Sequence, residues 1–227
     1  MVYCSSGKNI IFYLCHGIRT PDEKIMKLYG AFKNIVADFY KDKGINPIVY
    51  NGSYGWVGAI SNVFPWLRAT LERNVKTDLE NIMELTNNKN TRVVIISFSY
   101  GTFLTSKALL DAAINVDSWV LFGGVVHCSF DFTKVRAKVN NVFNYCSNDD
   151  KVAKHAPWFC DYGNCGAYGF RDSLGNKAMT SEPREQAWSC PNVLNIRDDT
   201  KGHSDWFETP EPILKAINEV TKNIKWE

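Results

Sequence analysis

The chain has 227 residues, 45% hydrophobic and 22% charged, and its 26 basic and 24 acidic side chains leave a net charge of +2. That balance predicts a single globular domain over 1–227 and excludes a disordered tail, a collagen-like repeat and a low-complexity scaffold. The charges are well mixed, so no basic stripe offers itself to nucleic acid, and no apolar run approaches the ~20 residues of a membrane span.

Periodicity predicts the elements in turn. A strand over Asn9–Cys15 runs into His16-Gly17-Ile18-Arg19. A helix over Glu23–Lys41 sets Ile25, Leu28, Phe32, Ile35, Val36 and Phe39 on one face. A strand over Asn46–Tyr50 leads to Asn51–Trp66, a loop or broken helix carrying Tyr54, Trp56, Phe64 and Trp66. Next come a helix over Leu67–Thr86, a strand over Arg92–Phe98 and a helix over Thr102–Ile114. Strands over Ser118–Gly123 and Asn141–Cys146 follow. Lys151–Ser189 reads as a long loop insertion, of the kind that is usually functional. A strand over Asn192–Ile196 and a helix over Pro212–Ile224 close the chain. Most of the strands are apolar almost throughout, as strands covered on both faces are. Alternation with helices predicts right-handed βαβ units, hence a three-layer α/β fold whose mainly parallel sheet has about six strands.

Seven cysteines cannot all pair within the chain. Cys15 and Cys146 sit inside apolar strands, where a thiol acts as a small buried hydrophobe. The apolar run Ile10–Cys15 is too short for a secretion leader, so a reducing, cytoplasmic setting with free thiols is expected. Cys160 and Cys165 could pair, or join Cys146, His155 or Cys190 around zinc, but one C-x4-C with scattered partners is a weak metal pattern. No metal and no cofactor are expected.

The sharpest motif is Ser97-Phe98-Ser99-Tyr100-Gly101, where a strand passes at once into a helix. Small residues on either side of Ser99 let strand and helix backbones approach, which is the geometry of a nucleophile elbow. An ordinary βα turn with a serine cap would look similar. His16-Gly17 ends the first strand, which neighbours the third in a sheet of order 2-1-3-4-5-6, at the switch point where ligands bind. The backbone amides of Ile18 and Tyr100 are therefore assigned as an oxyanion hole facing Ser99. His16 shapes that loop rather than moving protons. Asp149-Asp150 lie beyond the fifth strand and Gly202-His203 beyond the last. His203 falls at the same edge as Ser99, and either signal alone would be bland.

Taken together, His-Gly after the first strand, S-x-S-x-G, an acid followed by x-Val, and Gly-His before the last helix resemble the α/β-hydrolase superfamily, in its lipase- and esterase-like branch. The resemblance spans Asn9 to Ile224, with the usual first two strands missing and Ser97 where glycine is usual. It implies a serine hydrolase without a cofactor: Ser99 attacks a carbonyl, His203 shuttles the proton and an aspartate orients His203. Asp150 is preferred to Asp149. In an extended segment neighbouring side chains oppose, so Val152 would share the side of Asp150 and pack inward. The implied substrate is a small acyl ester, with His16, Trp56 and Trp66 in the substrate-binding wall. A thioesterase, amidase or peptidase on the same triad, or a binding protein that keeps the fold, are the rival readings.

Overall fold

A computed structural model describes residues 7–17, 22–52, 65–86, 90–135, 138–158, 161–171 and 192–226, with side chains for all of these but 22–28 and Pro65. Its strands are β1 (Lys8–Cys15), β2 (Ile45–Asn51), β3 (Thr91–Phe98), β4 (Val116–Phe122), β5 (Val139–Cys146) and β6 (Asn192–Arg197). The main helices are α1 (Asp22–Tyr40), α2 (Pro65–Leu85), α3 (Tyr100–Asp111) and, after two short helices described below, α6 (Glu211–Asn223). All six strands pair in parallel, in the order β2-β1-β3-β4-β5-β6. Each strand boundary lies within two residues of the sequence reading.

Side chains alternate across the sheet and bury themselves in two layers. Ile11, Tyr13, Val93, Ile95, Trp119 and Leu121 pack under α2 and α3, against Leu71, Val75, Leu79 and Leu104. Ile10, Phe12, Val94, Ile96, Val120 and Phe122 pack on the other side against Phe32, Val36, Ile213 and Ile217 of α1 and α6. Both faces of the central strands are therefore dry, which is why those strands carry no polar alternation. Each such side chain stabilises the fold by about 1.5–3 kcal/mol. The three layers expected from the sequence are present. No described helix is long and apolar enough to cross a membrane.

The chain after β5 departs from the expected loop. Its first part folds as α4 (Lys151–His155), a tight turn at Ala156–Trp158 and α5 (Cys165–Tyr168). Backbone bonds tie it to the stretch following β4: Gly163 N to Val125 O at 2.8 Å, Cys165 N to Val126 O at 3.0 Å, and Gly166 N to Gly124 O at 2.7 Å. A Cβ on Gly163 would stand 2.1 Å from the His127 backbone, so only glycine allows this approach. Arg68 and Lys107 hold Asp161 from α2 and α3, the former at 2.6 Å. This half of the insertion belongs to the body of the domain. The remainder, 172–191, lies outside the described residues.

Two buried amides seal that junction. Asn144 and Asn195 face each other across β5 and β6. Asn144 Nδ2 donates to Cys165 O and to Asn195 Oδ1, while Asn195 Oδ1 and Nδ2 also bond the Phe170 N–H and carbonyl. Removing the amide would strand these partners away from water. Asn195→Ala is expected to lower the unfolding free energy by about 2 kcal/mol. An unchanged midpoint in a urea titration would contradict it.

Candidate active site

β3 ends against β1, where Cys15 is the register partner of Ser97, and the chain turns directly into α3. At that turn Ser99 has φ 52° and ψ −125°, the one positive φ outside glycine among the described residues. A non-glycine residue held there costs roughly 1–3 kcal/mol, so its surroundings must impose it. Four contacts do so. Ser99 N donates to Phe122 O at 3.0 Å, and Ser99 O accepts from both the backbone and the hydroxyl of Thr102. The Thr102 hydroxyl in turn accepts from Val125 N. A Cβ on Gly101 would sit 2.1 Å from Cys15 O and 2.6 Å from His16 O. That clash accounts for the glycine two residues after the serine.

Ser97, standing where the resemblance expects glycine, has a structural reason. It is fully buried, its hydroxyl accepts from the Trp119 indole at 2.8 Å and donates to Val120 O at 3.2 Å. The buried tryptophan needs an acceptor, and the serine supplies it without adding the bulk of a larger side chain.

Ser99 Oγ lies 2.9 Å from His203 Nε2. On its far side, His203 Nδ1 lies 2.9 and 2.8 Å from the two oxygens of Asp150, a residue with no exposed surface. Both ring nitrogens are thus engaged, which requires Nδ1 to donate to the carboxylate and leaves Nε2 to accept the serine proton. Asp150 is also the N-cap of α4, accepting from Ala153 N at 2.8 Å. The loop bearing His203 is fixed from several directions. Asp199 accepts from Asn148 N, tying it to the Asp150 loop; Gly202 N donates to Asp205; and Trp206 is buried against Phe122 and Tyr145.

The extended segment with an inward Val152 expected around Asp150 is not what forms. The segment is helical rather than extended, and Val152 is 54% exposed instead of packing inward. The neighbouring Asp149 is exposed. Tyr100 is the first residue of α3, directly after Ser99, with its ring packed on Phe103 and Tyr162. At this position its amide lies at the positive end of the helix dipole, beside Ser99. His16 places Nδ1 2.9 Å from Gly17 O, in keeping with a loop-shaping role. Trp66 is 64% exposed on the first turn of α2. Ile18 and Trp56 lie outside the described residues.

Sequence reasoning did not single out Gly123 as part of the site. It follows β4 at φ +54°, and a Cβ there would fall 2.9 Å from His203 Nδ1 and 3.0 Å from Asp150 Oδ2. The Gly123-Gly124 pair after a strand was the available signal. Cysteines near the site are poor rivals to the serine as nucleophile. Burial pushes the Cys165 thiol well up, helped by the neighbouring Cys128, and burial also raises Cys128. Both stay protonated and unreactive near neutral pH. Cys128 and Cys165 are free thiols, and no cluster of three or more metal-ligating side chains occurs among the described residues.

Solved structures share this fold along almost the whole chain. The crystal structure of esterase PE8 aligns with a TM-score of 0.53 at 13% identity, over 96% of this chain and 94% of that one. The crystal structure of Arabidopsis thaliana SOBER1 aligns at 0.51 and 14% identity, over 96% and 100%. No protein-family model and no curated protein matches the sequence. Likeness at such low identity bears on architecture alone, and there it is plain: the chain has the α/β-hydrolase fold.

Gly123→Ala is expected to drive the Asp150–His203 pair apart, since the new methyl enters between them on a backbone that disfavours it. The downfield imidazole Nδ1 proton in NMR spectra reads this directly. Its persistence at the wild-type position in a folded variant would contradict the packing described.

Proposed function

We propose that the chain is a serine hydrolase that cleaves a carboxylic ester or a related acyl bond. The observation that carries this reading is the unbroken hydrogen-bonded series Ser99–His203–Asp150, set on a strained turn at the carboxyl edge of the sheet. Strain that the surroundings must impose is characteristic of functional turns. The likeness to esterase PE8 agrees, as an analogy of fold.

In the proposed reaction His203 Nε2 takes the Ser99 hydroxyl proton while Oγ forms a bond to the carbonyl carbon. The carbonyl oxygen becomes an oxyanion beside the Tyr100 amide, with Ile18 proposed as the second donor. His203 then gives the proton to the departing alkoxide as the ester bond breaks, leaving an acyl-serine. Water, deprotonated by the same imidazole, repeats the sequence and releases the acid. Asp150 holds the tautomer and balances the imidazolium charge. No cofactor enters the scheme. The pocket wall is assigned to Trp56, Trp66 and the loop residues around His16, with a small-molecule ester as substrate and the cytoplasm as the setting.

Ser99→Ala is expected to lower kcat on an activated ester by roughly 10⁶ without unfolding the chain. Ser97→Ala should do the reverse. It leaves the Trp119 indole unpaired at about 1–3 kcal/mol of stability, yet each folded molecule should still turn over. Residual turnover of a tenth or more in Ser99→Ala would move the nucleophile elsewhere. A panel of esters, thioesters and amides then ranks the bond types.

Asp150→Asn is expected to cost roughly 10⁴ in kcat, and Asp149→Asn little. Activity of the wild type should rise with pH as the imidazole loses its proton, because only neutral His203 accepts from Ser99. An acid limb that survives in His203→Asn would contradict its role as base. A large loss confined to Asp149→Asn would shift the acid by one residue.

A further inference from the structure

Between the two small residues of the turn stands Phe98, whose ring the scheme above leaves unused. Its centroid lies 5.0 Å from that of the His203 imidazole, with the planes inclined by 33°. Phe207 closes on its other side edge to face at 4.8 Å, and Phe207 in turn meets Phe122 at 5.3 Å. Phe122 stacks on Tyr145 at 4.6 Å in the buried layer under α1 and α6. His203 is therefore the outermost ring of an aromatic column rooted in the core. A Cβ on Gly17 would come within 3.3 Å of Phe98 Cδ1, so the β1 loop packs closely on the Phe98 ring edge.

We propose that Phe98 is a positioning residue for His203, one that also favours the imidazolium formed when the serine proton is transferred. The proposal rests on the hydrolase reading and deepens it. A ring offered partly face-on to a heterocycle stabilises the cationic form through its quadrupole, while the neutral form gains little. The stabilisation is thus selective for the moment of charge separation, which raises kcat rather than substrate binding. The other groups facing His203 are the Asp150 carboxylate at Nδ1 and the Ser99 hydroxyl at Nε2. On its own loop, Asp205 is turned to Gly202 N, Asp199 to Asn148 and Arg197, and Lys201 follows the Asp198 turn. None of these charges is altered by a change at Phe98.

The test is an NMR titration of the His203 imidazole in the wild type, Phe98→Leu and Phe98→Tyr, with ester kinetics alongside. Phe98→Leu should lower the His203 midpoint by about half a pH unit, the equivalent of a modest cation–π contact. Its kcat should fall roughly threefold with KM little changed, the acid limb moving to lower pH by the same interval. Phe98→Tyr keeps the ring and should restore both. If Phe98→Leu fails to fold, pentafluorophenylalanine incorporated at position 98 keeps the shape while removing the favourable quadrupole, and should give the same downward shift. An unmoved or raised midpoint, in either replacement, overturns the proposal. Because the titration needs no substrate, it is separable from the hydrolase reading. A shift in a wild-type background that turns over no acyl substrate would overturn that reading and leave the ring's hold on His203 standing.

Discussion

The site depends on how closely α3 approaches the end of β1. Gly101 rests on the Cys15 and His16 carbonyls with no room for a Cβ, and that contact fixes where the helix begins. With β3 paired to β1 through Ser97 and Cys15, the chain has two residues' length in which to reverse. Ser99 absorbs the turn in a left-handed conformation, which lifts its hydroxyl off the edge of the sheet. The bonds from Phe122 and Thr102 hold the strained residue in place, so the price is met by the backbone of β4 and α3 rather than by the serine.

The same economy of space recurs where buried polar groups meet. Gly123 leaves the gap in which the Asp150–His203 bond forms. Ser97 satisfies the Trp119 indole within the central layer, and the Asn144–Asn195 pair satisfies the backbone around Phe170. Each is a small side chain or an amide at the one spot where a larger or less polar residue would leave a clash or an unmet hydrogen bond. Rigid support of this kind is what lets a serine, a histidine and an aspartate from three separate loops keep distances of 2.8–2.9 Å.

Much of this was legible in the sequence, and the failures have physical causes. Apolar runs marked the central strands because burial on both faces removes the need for polar positions, while β2 and β6 at the edges are only partly buried. Ser99 and His203 stood out because strand ends are where such folds place their chemistry. The inward-facing Val152 expected beside Asp150 is turned outward instead, because Asp150 caps a short helix and the period there is 3.6 rather than 2. The described residues of 151–158 and 161–171 looked like loop because backbone bonds to residues 124–128 tie them down, which no local pattern encodes. Gly123 and Phe98 were passed over for a related reason. Their importance lies in what stands beside them in space, not along the chain.

The central claim is that Ser99 carries the acyl group during turnover. The most direct measurement is to mix the protein with a slowly deacylating activated ester, quench in acid within the first turnover, and map the peptides by mass spectrometry. One acyl group on Ser99 per chain is expected, absent when His203 is replaced by asparagine. Acylation confined to Ser97, a cysteine or a lysine, or no covalent adduct while product accumulates, would contradict the account.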